Sequence, residues 1–218
     1  MKSPGMSTIL WGPLAWGILT DMAIRMDQHP NVDYSAIWQS LKTMLPCKYC
    51  RQSYRKFLRE DPPQRPYTRW IFVLHNKVNR KLDKPLFDEA AFRRRIHVYG
   101  AFSSATTWWD FAFILAMNYD PATKRQAYQR WGRLMRLMST VLPYFIVTDS
   151  FPASALVSRL ALLKWLVERY NSQHGTTHQT SFFVHKYSQA ISHQSPEELA
   201  RLCGPLIVQC ERLEKRTK

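Results

Sequence analysis

Apolar residues recur at three- and four-residue intervals along nearly the whole chain, and that period commits it to helices before any motif is considered. The pattern runs through Trp11 to Met26, Ile37 to Leu45, Tyr49 to Leu58 and Trp70 to Leu82. Turn-forming residues fall between these segments: His-Pro-Asn within Asp27 to Asp33, three prolines within Asp61 to Pro66, and Asp83-Lys84-Pro85. Four helices on short connections predict a compact bundle, with Phe87 to Arg95 as a short fifth helix. Helical spacing resumes after Gly100 in Trp108 to Tyr119, Lys124 to Leu142, Ala153 to Tyr170 and Ser195 to Leu213. The last segment opens S-P-E-E, with Ser195 as N-cap, Pro196 at the first helical position and Glu198 closing a capping box. Ser172 to Thr180 reads as a loop. Alternating strand patterns are scarce, so the predicted fold is all-α: a four-helix bundle with a short fifth helix, followed by a second helical bundle.

The two halves share words in the same order. WGILTDMAIRMD (Trp16 to Asp27) parallels WDFAFILAMNYD (Trp109 to Asp120), and TMLPCKYC (Thr43 to Cys50) parallels TVLPYFIV (Thr140 to Val147). WIFVLHN (Trp70 to Asn76) parallels WLVERYN (Trp165 to Asn171). Three ordered blocks suggest an internal duplication; two unrelated bundles sharing short apolar words is the plainer alternative. If the duplication holds, the second copy has lost its chemistry, because Tyr144 and Val147 stand where Cys47 and Cys50 do.

With 45% hydrophobic residues the chain is globular rather than disordered. Its longest apolar run, Phe111 to Met117, is far short of the ~20 residues of a membrane span, so no membrane partner is expected. MKSPGMSTILWGPLAWG lacks the form of a secretory signal, so the expected address is the cytoplasm or another compartment reached without one. The formal net charge of +15 suits a polyanion. Because the basic residues are spread along helices, a solvated surface is favoured, a docking surface for an acidic protein comes next, and nucleic acid is not expected.

Chemistry is sought at the cysteines. Cys47 and Cys50 form a C-x2-C, and Cys203 and Cys210 a C-x6-C. Without an export signal, C-x2-C is more often metal-binding or redox-active than a structural staple. In LPCKYCRQSYRKFL, Cys47 follows Pro46 at the expected start of a helix, where unpaired N–H groups and the helix dipole favour a thiolate. Half of a zinc site, with Cys203 and Cys210 as the other half, and an idle pair remain open. In WIFVLHNKVNRKLDKP, helical spacing places His75, Val78, Asn79 and Leu82 on one face with Asn76 beside them. Such a face is costly to bury unless a planar polar group meets it; a solvated face is the alternative. In WGPLAWGIL, Gly12-Pro13 is expected to start a helix, with Trp16 free to pack on a ring or to fill the core.

Together WGPxxW, LPCxxC and W-x4-HNxVNxKLxKP resemble the Erv/ALR family of FAD-linked sulfhydryl oxidases, over Ile9 to about Phe87. The resemblance implies a helical bundle holding FAD, with protein thiols as substrates, oxygen as electron acceptor and hydrogen peroxide as product. It implies no metal. It makes Cys47 the outer cysteine, attacked by incoming thiols, and Cys50 the flavin-proximal one. Gly12, Pro13 and Trp16 would form the first FAD-contacting stretch, and His75, Asn76, Val78, Asn79, Lys81, Leu82 and Lys84 the second. Thr20 stands where many members have a histidine that contacts FAD. Phe72 and Glu89 stand where cellular members often carry a disulfide, and the loss of both resembles short viral members. A large-DNA-virus origin, with host cytoplasm or virion as location, is the corresponding expectation.

Quiescin sulfhydryl oxidases pair an Erv domain with a degenerate one that mimics a dimer partner, and the second half here is similar. The expected domains are therefore 1–95 (active), 96–175 (degenerate) and 176–218 (linker and basic helical tail). A homodimer beyond the intrachain pair stays open. Cys203 and Cys210 are either a shuttle dithiol, as in some relatives, or buried small apolar residues. On a straight helix they would stand about 10 Å apart along the axis, beyond the roughly 7 Å a disulfide tolerates, unless Gly204-Pro205 bends it.

Overall fold

A computed structural model describes residues 8–102, 105–142 and 151–187. Every regular element among them is helical: α1 (Thr8–Gln28), α2 (Ser35–Met44), α3 (Lys48–Glu60), α4 (Tyr67–Lys81), α5 (Glu89–Phe102), α6 (Ala105–Met117), α7 (Pro121–Ser139), a 3-10 turn (Ala155–Val157), α8 (Arg159–His174) and α9 (Thr180–Lys186). The expected C-terminal helix from Ser195, with Cys203 and Cys210, lies outside the described residues, as do Tyr144 and Val147.

Helix ends follow local chemistry with some departures from expectation. α1 begins a turn before Gly12-Pro13, so Pro13 lies inside the helix with its ring exposed. α5 runs past the boundary expected at 95. α8 continues to His174 and stops at Gly175, whose φ of 62° gives the left-handed C-cap that glycine adopts without a Cβ penalty. Asp120 and Ser158 cap α7 and α8 through Ala122 N and Ala161 N. α4 lacks a cap from its own preceding residue; Asp27 at the end of α1 supplies one, accepting from Tyr67 N at 2.7 Å and Thr68 N at 2.9 Å. That carboxylate also opposes the positive end of the helix dipole. Arg65 returns the tie, donating to the carbonyls of Met26 at 2.7 Å and Val32 at 2.9 Å.

The order of packing is what places the site. α1 lies against α4 and α5, and α2 against α3, forming a first bundle. α6 lies against α8, and α8 against α9 and the 3-10 turn, forming a second. Between them α1 packs on α6 and α2 on α7. By the shared blocks α6 is the counterpart of α1 and α7 of α2. Helices that share sequence blocks therefore pack on one another across the seam. The seam buries Ile18, Trp108 and Met135 almost completely, each large apolar side chain contributing about 1.5–3 kcal/mol.

Side-chain ties repeat between the bundles. Arg65 binds Met26 O, and Arg159 binds Tyr119 O at 3.1 Å, the matching carbonyl of α6. Asn76 donates to Phe87 O at 2.9 Å and accepts from Phe87 N at 3.0 Å. Asn171 does the same with His178, at 2.9 and 3.0 Å. Asn76 and Asn171 occupy matched positions of the shared blocks, whereas Arg159 lies one residue before the match of Arg65.

Candidate active site

Cys47 is the N-cap of α3, in extended backbone (φ −104°, ψ 131°), and its Sγ accepts from Cys50 N at 3.3 Å. Leu45-Pro46 ends α2 and turns the chain, so the sulfur takes the place a serine or aspartate oxygen usually takes. The Cys47 thiol is lowered to about 7. The main cause is the hydrogen bond from the Cys50 thiol. Burial opposes it, while the Cys50 and Tyr49 amides and the charge of Arg51 add to it. Arg51 is fixed by donating to Leu45 O at 2.6 Å, across the turn from Cys47. Both cysteines are reduced here, Cys47 buried and Cys50 half-buried. Cys47, expected as the outer cysteine, is thus the more enclosed of the two.

Lys81 Nζ donates to Ser53 Oγ, one turn after Cys50, and so ties the C-terminal end of α4 to the redox helix. Two turns earlier on α4, His75 is buried and stacks on Trp16 of α1, with ring centroids 4.0 Å apart and planes 7° from parallel. Phe87 meets the His75 edge at 4.9 Å. Thr20, one turn after Trp16, is fully enclosed, and its Oγ1 has no hydrogen-bond partner among the described residues. Val78 and Leu82 are half-buried, Gly12 is half-buried, and Lys84 is exposed.

The polar demand of the His75 face is met largely by the chain itself. Asp83 takes φ 51°, a conformation aspartate tolerates better than most residues, and turns residues 85–87 back along α4. Asn79 Nδ2 then donates to Pro85 O at 3.0 Å, while Asn76 clamps Phe87. The carboxamides therefore shape the rim of the site through the returning loop. Sequence reasoning missed this loop, although Asp83-Lys84-Pro85 marked the turn. It also missed Asp27 and Arg65, which tie the end of α1 to the start of α4, the two helices that carry Trp16 and His75. Phe72, at the missing disulfide position, packs on Phe92 of α5 at 5.0 Å, an apolar contact joining α4 to α5.

The second bundle has different residues at the positions that the shared blocks match. At the position of Thr20 it has Phe113, and at that of His75 it has Tyr170. Phe113 stacks on Phe183 at 4.0 Å and on Tyr187 at 5.7 Å, and Tyr170 meets Trp109 edge-on at 5.5 Å. Where the second bundle has Phe113 among aromatic rings, the first has Thr20 with its enclosed hydroxyl, beside the stacked pair of Trp16 and His75. The buried hydroxyl of Thr20 without a partner among the described residues is the one feature here whose chemistry suits a group with polar edges. Among the described residues no cluster of three or more His, Cys, Asp or Glu side chains could hold a metal ion, and no helix is long and apolar enough to cross a membrane.

A helical bundle presenting a C-x2-C whose first sulfur caps a helix and titrates near neutrality defines a dithiol redox protein. Residues 14–97 match the Erv1 / Alr family. The chain is 45% identical over 85 residues to the mitochondrial FAD-linked sulfhydryl oxidase ERV1 of Saccharomyces cerevisiae, covering 35% of this chain and 45% of that protein. It is 27% identical over 84 residues to FAD-linked sulfhydryl oxidase ERV1 of Oryza sativa, covering 35% and 43%. To the FAD-linked sulfhydryl oxidase of African swine fever virus (isolate Pig/Kenya/KEN-50/1950) it is 31% identical over 91 residues, covering 38% of this chain and 76% of the viral protein. The chain belongs to the Erv1 / Alr family. It spans less than half the length of the yeast and rice relatives, and the family match ends within α5. No solved structure matches the chain significantly.

Proposed function

We propose that the protein is an FAD-dependent thiol oxidase that makes disulfides in protein substrates at Cys47–Cys50, with oxygen as final acceptor. The observation that carries the reading is Cys47 capping α3 with its thiol lowered to about 7, inside the segment shared with the family. A substrate thiolate attacks Cys47 Sγ of the disulfide form, the S–S bond breaks, and Cys50 leaves as a thiolate. The substrate's second thiolate then attacks the substrate sulfur of the mixed disulfide, closing the substrate disulfide and expelling Cys47. The Cys50 and Tyr49 amides and the charge of Arg51 stabilise the departing Cys47 thiolate, and a stabilised thiolate leaves faster. Bound FAD would take the electron pair of the dithiol and pass it to oxygen to give hydrogen peroxide.

Trp16, Thr20 and His75 would hold the planar part of the cofactor, with Gly12, Pro13, Val78 and Leu82 around it and Lys81 and Lys84 offering positive charge. Asn76 and Asn79 support this site through the loop at 85–87. The second bundle is a degenerate copy that covers α1 and α2 as a dimer partner would, and it takes no flavin of its own. Its unit extends to α9, because Phe183 and Tyr187 fill its core. The proposal places the protein in the cytoplasm, which fractionation of cells expressing it tests. The activity is tested by oxygen uptake of the FAD-loaded protein with dithiothreitol. Uptake that is lost in Cys50→Ser, with flavin absorbance kept, is expected; uptake retained in Cys50→Ser contradicts the mechanism.

A further inference from the structure

Two long stretches of the chain carry no carboxylate. From Tyr34 to Arg59 the charged residues are Lys42, Lys48, Arg51, Arg55, Lys56 and Arg59; from Pro121 to Thr148 they are Lys124, Arg125, Arg130, Arg133 and Arg136. They lie some 80 residues apart in sequence, one in each bundle, yet the packing of α2 on α7 brings them together. Leu41, Leu45 and Pro46 line one apolar cleft with Trp131, Met135 and Met138. The turns of α7 that meet Pro46 on their inner side carry Arg133 and Arg136 on the outer, exposed side. Across the seam α3, which starts at the dithiol, exposes Arg55 and Arg59 one turn apart while Tyr54 and Leu58 face the core. Both bundles thus carry exposed arginines on helices that adjoin the Leu45-Pro46-Cys47 turn: Arg133 and Arg136 on α7, and Arg55 and Arg59 further along α3.

We infer that this face docks acidic protein segments carrying the thiols to be oxidised, and that the degenerate bundle supplies one wall of the dock through Arg133 and Arg136. The inference rests on the thiol-oxidase reading. A molecule positioned at this turn has to present sulfur to Cys47, which a nucleic acid does not; the acceptable polyanion is a cysteine-bearing peptide with aspartate or glutamate beside its thiols. Carboxylates raise the pKa of neighbouring thiols and slow their attack. A cationic rim offsets that effect and raises the encounter rate, both fading as salt shortens the Debye length from about 10 Å at 0.1 M to about 3 Å at 1 M.

The experiment uses the full chain loaded with FAD and three reductants: dithiothreitol and two reduced C-x2-C peptides that differ only in acidic or basic flanks. kcat/KM from oxygen uptake is measured at low salt and at about 0.5 M salt. The acidic peptide is expected to be preferred about tenfold or more at low salt, the preference shrinking to about twofold at high salt. Arg133→Glu/Arg136→Glu should lower kcat/KM for the acidic peptide at least about fivefold and leave dithiothreitol turnover unchanged. Arg94→Glu/Lys164→Glu, the same charge change at exposed positions of α5 and α8, should stay within about twofold of the parent. Turnover of dithiothreitol with equal rates on the two peptides, or equal losses in the two double variants, overturns the docking face while the oxidase stands. Single-stranded DNA that binds the parent and not Arg133→Glu/Arg136→Glu, with no peptide preference, overturns it in favour of nucleic acid. No turnover of dithiothreitol overturns the oxidase reading and the dock with it.

Discussion

The first and second bundles keep the same ties and differ in what those ties enclose. Arg65 and Arg159 bind matching carbonyls, and Asn76 and Asn171 clamp matching loops through paired hydrogen bonds. By the shared blocks, Thr20 and His75 of one bundle correspond to Phe113 and Tyr170 of the other. Counted from the two clamped residues, Ile96 of α5 corresponds to Tyr187 of α9. The ties thus recur although the residues they enclose differ. The redox helix differs too. Thr43 to Cys50 aligned on Thr140 to Val147 puts α3 on residues 145–157, and the described part of that stretch is a turn and a 3-10 helix.

The largest effect should come from removing the chemistry that the second bundle lacks. Cys47→Ser and Cys50→Ser should each lower dithiol-driven oxygen uptake by more than about a thousandfold, since a hydroxyl cannot carry out thiol–disulfide exchange. Flavin content measures whether the site survives, and it should be unchanged.

Next is the exchange of a single residue between bundles. Thr20→Phe gives the first bundle the ring of the second and should cut flavin retained through purification at least about tenfold, while far-ultraviolet circular dichroism stays helical. Overpacking a filled core costs about 1–3 kcal/mol, so a variant that unfolds would report strain rather than exclusion. Thr20→Val separates the two. It removes only the enclosed hydroxyl and should weaken flavin retention with little loss of thermal stability. Full flavin content in both variants would break the comparison at its centre.

The clamps give a smaller, paired effect. Asn76→Ala and Asn171→Ala each leave a peptide N–H and C=O without their partners, at about 1–3 kcal/mol, or roughly 2–10 °C in Tm for a chain of this size. Asn76→Ala should also lower flavin content, because the loop at 85–87 carries Phe87 onto His75. Asn171→Ala should not. Loss of flavin in both would mean that the bundles share one site.

The smallest effect is the titration of Cys47. With its pKa lowered, thiolate absorbance of the reduced protein should rise with a midpoint near pH 7, and Cys47→Ser should remove that step. For the reduced protein the sign follows from the depressed value: the stabilisation is complete above the unfolded thiol range and is lost as pH falls through about 7. A midpoint in the ordinary thiol range would remove the argument for Cys47 as a good leaving group.

Much of this was legible in the residues because it is local. Three- and four-residue spacing marks helices, C-x2-C after proline marks a capped redox turn, and the paired words mark two bundles. What was not legible depends on distant segments meeting. No local signal says that Asp27 caps a helix beginning 40 residues on, or that Asn76 and Asn79 spend their amides on a loop that has yet to return. The net charge offered a docking surface for an acidic protein as a second choice but could not locate it, for the same reason. Its two acid-free stretches stand far apart in sequence, and only the seam between α2 and α7 makes them one surface.

The central claim is that one bundle is built to hold a flavin and its copy is filled. Flavin absorbance against protein concentration on the intact, FAD-saturated chain tests it most directly. The account predicts one flavin per chain, unchanged by Phe113→Leu in the second bundle. Two flavins per chain, or none, would contradict it.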